Sequence, residues 1–245
     1  MAEEWPDEDF EYRVGTNHLS EFAAGHSPAD VLRELVQNEY DAGGSHLEVR
    51  FDEDALKVRG NGEVIDAAGW NRLSVMLGTG LVAGTSTVVQ KKVNGIGSKN
   101  FGLRSLFLFG DSIEVASGGQ RTVLDRRRGS LRSRIPDEPS GSSSGVALTV
   151  PYRTTDDGDL RIFDERREHD ALSDMAAALA PTLVKLAKPG STKGISAVTV
   201  TSSRLHHRLT WVQSVRTLKE RGSPLLRTVR LEHQGDFLGE VPTSF

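Results

Sequence analysis

The stretch that decides the fold is ELVQNEYDA, residues 34–42. Within it, Glu34, Asn38 and Asp41 are spaced i, i+4 and i+7, which places three polar side chains on one face of a helix. A surface helix can carry a polar stripe of this kind without any function. The stripe therefore becomes informative only through the sequence on either side of it.

A helix is predicted over residues 28–42. Ser27 followed by Pro28 is typical of a helix start, because serine caps the first turn and proline fits the first helical position. The sequence reaches Gly43 and Gly44 at the other end, where a helix is expected to stop. Between these ends, apolar residues recur at helical spacing, namely Val31, Leu32, Leu35 and Val36.

After this helix, two alternating segments at 46–51 and 55–59 predict a β-hairpin. A glycine-, serine- and threonine-rich stretch then runs over residues 78–102 with little apolar periodicity. Long loops inside compact domains are usually lids or binding loops. This loop leads directly into a helix predicted at 103–109, and glycines before a helix start expose backbone N–H groups that can bind phosphate.

Two familiar phosphate-binding loops are excluded. A Walker A loop needs lysine directly after its second glycine, but Leu103 follows Gly102. A dinucleotide-binding loop needs a third glycine where Asn100 stands, and it should open a βαβ unit. The loop is therefore of another kind.

The remaining pattern mixes hairpins with helices and predicts an α+β sandwich with a mixed sheet. Helices are also predicted at 67–77 and at 170–188, the second interrupted at Pro181. The other predicted strands are 112–116, 121–124, 146–150, 195–201, 205–211 and 225–231.

Composition excludes several classes of protein. The 245 residues include no cysteine, which rules out disulfides, thiolate metal sites and cysteine nucleophiles. No apolar run is long enough to span a membrane, and the first residues are acidic where a targeting peptide would be basic. We therefore expect a cytoplasmic protein without a membrane partner.

Charge is unevenly distributed along the chain. Residues 1–70 carry 17 acidic and 5 basic side chains, whereas residues 191–245 carry 4 acidic and 8 basic side chains. Nucleic-acid contact through the basic C-terminal part is therefore an open but unfavoured alternative.

In their order and intervals, four blocks resemble the GHKL ATPase superfamily, whose nucleotide site is the Bergerat fold, and in particular its sacsin-like and heat-shock-chaperone-like members. Residues 34–42 are similar to the first motif, E-x-x-x-N-x-x-D-A. Residues 60–64 lie where the second motif, D-x-G-x-G, belongs. Residues 97–107 and 145–153 are similar to the third and fourth motifs. The resemblance implies a two-layer α/β sandwich with a mixed β-sheet and a glycine-rich ATP lid.

The resemblance also implies roles for single residues. Glu34 would be the catalytic base that activates water, Asn38 would ligate Mg²⁺, and Asp41 would organise the pocket. The backbone amides of Phe101, Gly102 and Leu103 would hold the terminal phosphate, with charge from Lys99. The other positions expected to contact nucleotide are Ala42, Gly60, Asn61, Gly62, Val64, Gly97, Ser98, Asn100 and Ser105.

The second block departs from the family pattern at Gly60. Relatives carry aspartate there, and it accepts a hydrogen bond from the adenine amino group. A donor buried without its acceptor loses about 1–3 kcal/mol. Either water or another carboxylate replaces the aspartate here, or nucleotide binds weakly or not at all. Introducing aspartate at position 60 is therefore expected to sharpen base selection.

Together these observations predict a Mg²⁺-dependent ATP-binding domain over residues 1–204, with slow ATPase activity that drives conformational change in a larger, chaperone-like protein. Residues 205–245 are expected to be an extension or the start of a following domain, in a chain that continues. Downstream domains and a homodimer of the full-length protein would complete the site. Two alternatives stay open: a degenerate GHKL domain acting as a non-catalytic interaction module, and a nucleic-acid-binding scaffold.

Overall fold

A computed structural model describes residues 23–67, 69–70, 73, 101–126, 144–185, 194–216, 226–233 and 236–243. The helices are α1 (Pro28–Asp41), α2 (Phe101–Ser105) and α3 (Glu165–Lys185), and a 3-10 helix (Leu106–Leu108) follows α2. The strands are β1 (His46–Phe51), β2 (Ala55–Gly60), β3 (Ser112–Ser117), β4 (Gln120–Asp125), β5 (Val146–Pro151), β6 (Ala197–Ser202), β7 (His207–Arg216), β8 (Leu226–His233) and β9 (Asp236–Thr243).

The first helix begins where its sequence predicts. The Ser27 backbone N–H donates to the Asp30 carboxylate at 3.0 Å, and the Asp30 N–H donates to the Ser27 hydroxyl at 3.2 Å, which together form a capping box. Pro28 occupies the first turn, where its missing N–H costs nothing. At the other end Gly43 has φ +71°, a left-handed conformation that favours glycine and ends the helix.

One mixed sheet contains all the described strands, in the order β4-β3-β5-β2-β1-β6-β7-β8-β9. Strands β1 and β6 are parallel, and the other neighbouring pairs are antiparallel. Along β1, buried Leu47, Val49 and Phe51 alternate with exposed residues, so one face of the strand is covered and the other faces solvent. Helices α1 and α3 pack against each other, and their apolar faces join the sheet in one core.

The α+β class with a mixed sheet is thus confirmed, whereas three details of the prediction were wrong. Helix α3 begins at Glu165 and continues through Pro181. Proline has no backbone N–H and so removes one helical hydrogen bond, but the remaining hydrogen bonds are sufficient to maintain the helix. Strand β7 begins at His207 and reaches Arg216. Strand β9 was not predicted, since its glycine and proline are unfavourable in a strand but are tolerated at the end of the sheet order.

Other predictions have more limited outcomes. Ala67, Gly69, Trp70 and Leu73 are helical, in agreement with the helix expected at 67–77. Residues 74–100, which include most of the expected lid, lie outside the described residues. Strands β7 to β9 extend the same sheet as β6, so the described part of residues 205–245 continues the fold of the preceding residues. No helix in the described part of the chain combines the length and apolar character needed to cross a membrane.

Candidate functional site

A cavity of about 330 Å³ lies between the C-terminal end of α1 and the sheet. This volume is at the lower end of the range that small-molecule sites occupy, about 300–1,000 Å³. Its polar lining residues are Asn38, Glu39, Asp41, Glu63 and Asp66. Its other lining residues are Leu35, Ala42, Leu47, Val58, Gly60, Val64, Ile65, Gly69, Leu73, Leu103, Val115, Val146 and Leu148.

Several parts of the chain build this cavity. The last turns of α1 supply a polar wall, and strands β1, β2, β3 and β5 supply a floor of apolar side chains. The segment at 63–66, which follows β2, forms another wall, and Leu103 of α2 closes the cavity from a third direction. The result is a mainly apolar cavity with polar groups at the helix end and in the segment 63–66, which is the usual composition of a site for a small organic ligand.

The carboxylate of Glu39 is the central polar group. Glu39 is only 6% exposed. Its Oε1 accepts hydrogen bonds from the backbone N–H groups of Asn61 at 2.8 Å and Gly62 at 2.7 Å. Burial raises the pKa of Glu39, although these two hydrogen bonds and the charge of His46 act in the opposite direction.

Two glycines make room for this carboxylate. A Cβ placed on Gly60 would overlap Oε2 of Glu39 and lie 2.6 Å from its Cδ. A Cβ placed on Gly44 would overlap Oε1 and lie 2.9 Å from Cγ. The Glu39 carboxylate therefore fills the space in which a side chain at position 60 would begin.

The turn after β2 is fixed by its own hydrogen bonds. The Asn61 side-chain oxygen accepts from the backbone N–H groups of Ser45 at 2.8 Å and His46 at 2.9 Å. Its amide nitrogen donates to the Ser45 hydroxyl at 3.0 Å. Further along, the Glu63 N–H donates to the Ala42 carbonyl at 2.8 Å. These bonds tie the turn to the segment that follows α1.

A buried serine anchors the opposite side of the cavity. Ser117, at the end of β3, is fully buried. Its hydroxyl accepts from the Ile65 N–H at 2.9 Å and donates to the Gly145 carbonyl at 2.8 Å. Gly145 has φ +73°, and a Cβ there would press on the backbone of Gly60 and Asn61. Glycine at 145 thus allows the start of β5 to lie directly against the turn after β2.

The cavity brings together part of the predicted set. Six of the predicted residues line it, namely Asn38, Asp41, Ala42, Gly60, Val64 and Leu103. Phe101 and Gly102 begin α2. Four predicted residues, Gly97, Ser98, Lys99 and Asn100, lie outside the described residues.

Other predicted residues support the cavity without lining it. Asn61 and Gly62 hold Glu39 through their backbone amides, and the Asn61 side chain is committed to the loop at Ser45. Ser105 is fully buried at the end of α2. Glu34 lies partly buried one turn before Asn38 and is not a lining residue of the cavity.

Sequence reasoning missed Glu39, although the sequence carried a signal. Position 39 lies three and four residues after Val36 and Leu35, so it belongs to the apolar stripe of α1. A charged residue in such a stripe has to be satisfied by partners brought from elsewhere in the chain. Nothing in the sequence shows that those partners are the amides that follow β2.

No protein-family model matches this chain. No curated protein matches it either. Among solved structures, the chain is similar to the crystal structure of the N-terminal domain of a DNA repair protein. The TM-score is 0.48, the sequence identity is 14%, and the alignment covers 88% of this chain and 71% of that one. A similarity of this degree identifies neither a family nor a function.

Proposed function

We propose that this chain is a Mg²⁺-dependent ATP-binding domain of the GHKL type, with slow hydrolysis that drives conformational change in a larger protein. One observation carries the proposal. Asn38 and Asp41 of the first block, Gly60 and Val64 of the second, and Leu103 of the third all line one cavity. A cavity is the place where motifs that act on one ligand are expected to meet.

The cavity suits the base and sugar of a nucleotide better than the phosphates. Its apolar walls, including Val58, Leu73 and Leu148, can enclose a flat ring. In this arrangement Val64, which is 44% exposed, lies beside the base at the edge of the cavity. The phosphates would extend toward α2 and the residues that precede it.

The residues at the helix end fit a hydrated magnesium ion. No group of three or more His, Cys, Asp or Glu within the described ranges could hold a metal ion by itself. Mg²⁺ does not need such a cluster, because it keeps several waters and is usually held by one or two protein oxygens together with phosphates. Asn38 offers one amide oxygen in the cavity wall, and the bound ion would neutralise phosphate charge.

A different feature favours the second candidate, a degenerate GHKL domain that serves as a non-catalytic interaction module. The charged residues in the described lining are all acidic, namely Glu39, Asp41, Glu63 and Asp66. A lining whose charged residues are all acidic favours a phosphate ligand less than a basic lining would. Under the first proposal, Mg²⁺ and Lys99 supply positive charge to the phosphates.

Calorimetric titration with ATP and Mg²⁺ separates the two candidates. We expect the wild-type chain to bind ATP, and Asn38→Ala to weaken binding about tenfold or more, because it removes a metal ligand. We expect Glu34→Ala to bind ATP as the wild type does and to lose turnover, because a base acts only on the attacking water. Turnover of the wild type should stay below about 1 s⁻¹.

Gln37→Ala is the matched control, since Gln37 is an amide on the same helix that does not line the cavity. Binding by this variant should equal that of the wild type. Absence of ATP binding by the wild-type chain would remove the ATPase proposal and leave the interaction module. Wild-type turnover in Glu34→Ala would remove only the role of Glu34.

A further inference from the structure

We propose that Glu39 is the residue that selects the base, by accepting a hydrogen bond from an exocyclic amine of the ligand through Oε2. The cavity then prefers a 6-aminopurine nucleotide to a 6-oxopurine nucleotide. This inference rests on the proposed nucleotide binding. It assigns base recognition to a helix residue, whereas the resemblance alone places it at position 60.

The two oxygens of the Glu39 carboxylate are used unequally. Oε1 accepts both backbone N–H groups, from Asn61 and Gly62. Among the described residues, these two amides are the hydrogen-bond donors to the carboxylate, so Oε2 accepts none. Two amides on one oxygen fix the orientation of the carboxylate and leave the other oxygen available to a ligand.

The position of Oε2 makes it accessible to a ligand in the cavity. It lies where a Cβ on Gly60 would stand, and both Gly60 and Glu39 line the cavity. The wall on the sheet side is apolar, with Leu47, Val58 and Val115. A side chain that is more than nine-tenths buried thus directs an unused acceptor into an apolar cavity.

The chemistry of that acceptor determines which ligand group it can bind. An ionised carboxylate can accept hydrogen bonds but cannot donate them. In a low-dielectric cavity an unsatisfied carboxylate oxygen is costly, so a ligand that brings an N–H donor gains more than it would in water. A carbonyl oxygen at the same place would face the carboxylate oxygen and be repelled. A buried acceptor of this kind discriminates strongly between a ligand that carries a donor and one that lacks it.

Two glycines provide the space that the Glu39 carboxylate occupies. Gly44 and Gly60 each contact the Glu39 carboxylate so closely that neither could carry a side chain with Glu39 in place. The expectation that aspartate at position 60 sharpens base selection is therefore revised. Aspartate there needs the space that Glu39 occupies, so the exchange requires that Glu39 be removed as well.

The test compares ATP with inosine triphosphate, which differs by a carbonyl in place of the 6-amino group, using calorimetry on the full chain with Mg²⁺. We expect the wild type to prefer ATP by about tenfold or more. Glu39→Gln should lose or reverse that preference. Its amide oxygen can still accept from Asn61 and Gly62, while its NH₂ group then points into the cavity as a donor. Glu48→Gln, a carboxylate change on the exposed face of β1, is the control and should leave the ratio unchanged.

A second variant, Glu39→Ala combined with Gly60→Asp, transfers the carboxylate from the helix to the strand end and should keep the preference for ATP. If Glu39→Gln does not fold, this double variant tests whether a carboxylate at this place selects the base. An ATP preference that survives in Glu39→Gln, or a folded double variant that binds ATP without preference, would overturn the role of Glu39 while nucleotide binding stands. A wild-type chain that binds neither nucleotide would overturn this inference together with the proposed function.

Discussion

At the scale of single residues, the Glu39 carboxylate determines which residues can stand beside it. Its Oε1 is held by two backbone amides, so it cannot turn away from Gly44 without breaking those hydrogen bonds. Gly44 is buried and has no left-handed backbone conformation to explain its identity. The neighbouring Gly43 is the opposite case, since it has φ +71° and open space around its Cα.

This contrast gives a prediction for the free energy of unfolding. Gly44→Ala should destabilise the chain by about 1–3 kcal/mol, because the new methyl group overlaps Glu39. In a Glu39→Ala background most of this cost should disappear, which gives a coupling energy of about 1 kcal/mol or more between the two positions. Urea denaturation of the wild type, the two single variants and the double variant measures this coupling energy.

Gly43→Ala provides the matched control. It should cost about 1–2 kcal/mol through backbone strain alone. Since that strain does not involve Glu39, its effect should add to that of Glu39→Ala within about 0.5 kcal/mol. Equal coupling at both glycines would show that Glu39 does not fill the space beside Gly44.

The sequence indicated some of these residues and not others. The i, i+4, i+7 stripe placed Asn38 and Asp41 on one face of α1, and both line the cavity. It could not show that the carboxylate of Glu39, on the apolar side of the same helix, would accept hydrogen bonds from the backbone amides of Asn61 and Gly62. That pairing depends on contacts between residues 22 and 23 positions apart, which no local pattern encodes.

At the scale of elements, a buried ion network joins the ends of three neighbouring strands. Asp111, before β3, accepts from Arg126 after β4 at 3.0 Å and from Arg153 after β5 at 2.9 Å. Arg153 also donates to the Phe107 carbonyl at 2.9 Å. Arg126 is buried and also pairs with Asp157.

The network predicts a loss of stability in acid. Burial alone would raise the pKa of Asp111, but the hydrogen bonds and charges of Arg126 and Arg153 outweigh it and hold the pKa below its ordinary value of 3.8. A group with a lowered folded-state pKa contributes stability above its unfolded pKa and loses it as pH falls through the folded value. The stabilisation should therefore be complete at pH 7 and decline below about pH 4.

The variant Asp111→Asn tests this prediction in denaturation experiments between pH 7 and pH 2.5. At pH 7 it should destabilise the chain by about 1–3 kcal/mol, and the difference from the wild type should shrink as the pH falls below 4. Glu114→Gln is the control, because Glu114 forms an exposed ion pair with Arg121, for which less than about 1 kcal/mol is expected. A difference for Asp111→Asn that is independent of pH would contradict the assignment.

Elements with strong local signals were predictable. The capping residues and apolar spacing of α1, and the alternation of β1 and β2, gave their positions to within one residue. Strand β9 has no such signal, since glycine and proline interrupt it and its pairing with β8 comes from the sheet. Helix α3 likewise continues through Pro181, where local preference predicts an interruption.

At the scale of the whole molecule, the sheet order brings distant parts of the sequence to one site. Strand β5 lies between β2 and β3, and β1 lies between β2 and β6. This order places the end of α1, the turn after β2 and the start of β5 around one cavity. Local periodicity gives the elements but not this order, so the motif resemblance was the only sequence observation that predicted their meeting.

Binding of an adenine nucleotide in this cavity is the proposal on which the assigned residue roles depend. A crystal structure of the chain grown with a non-hydrolysable ATP analogue and Mg²⁺ tests it most directly. We predict density for the purine between Val58 and Leu103, with its amino nitrogen about 2.7–3.2 Å from Oε2 of Glu39 and the phosphates directed toward α2. Nucleotide bound elsewhere on the chain, or a cavity that stays empty at saturating analogue concentration, would contradict the claim.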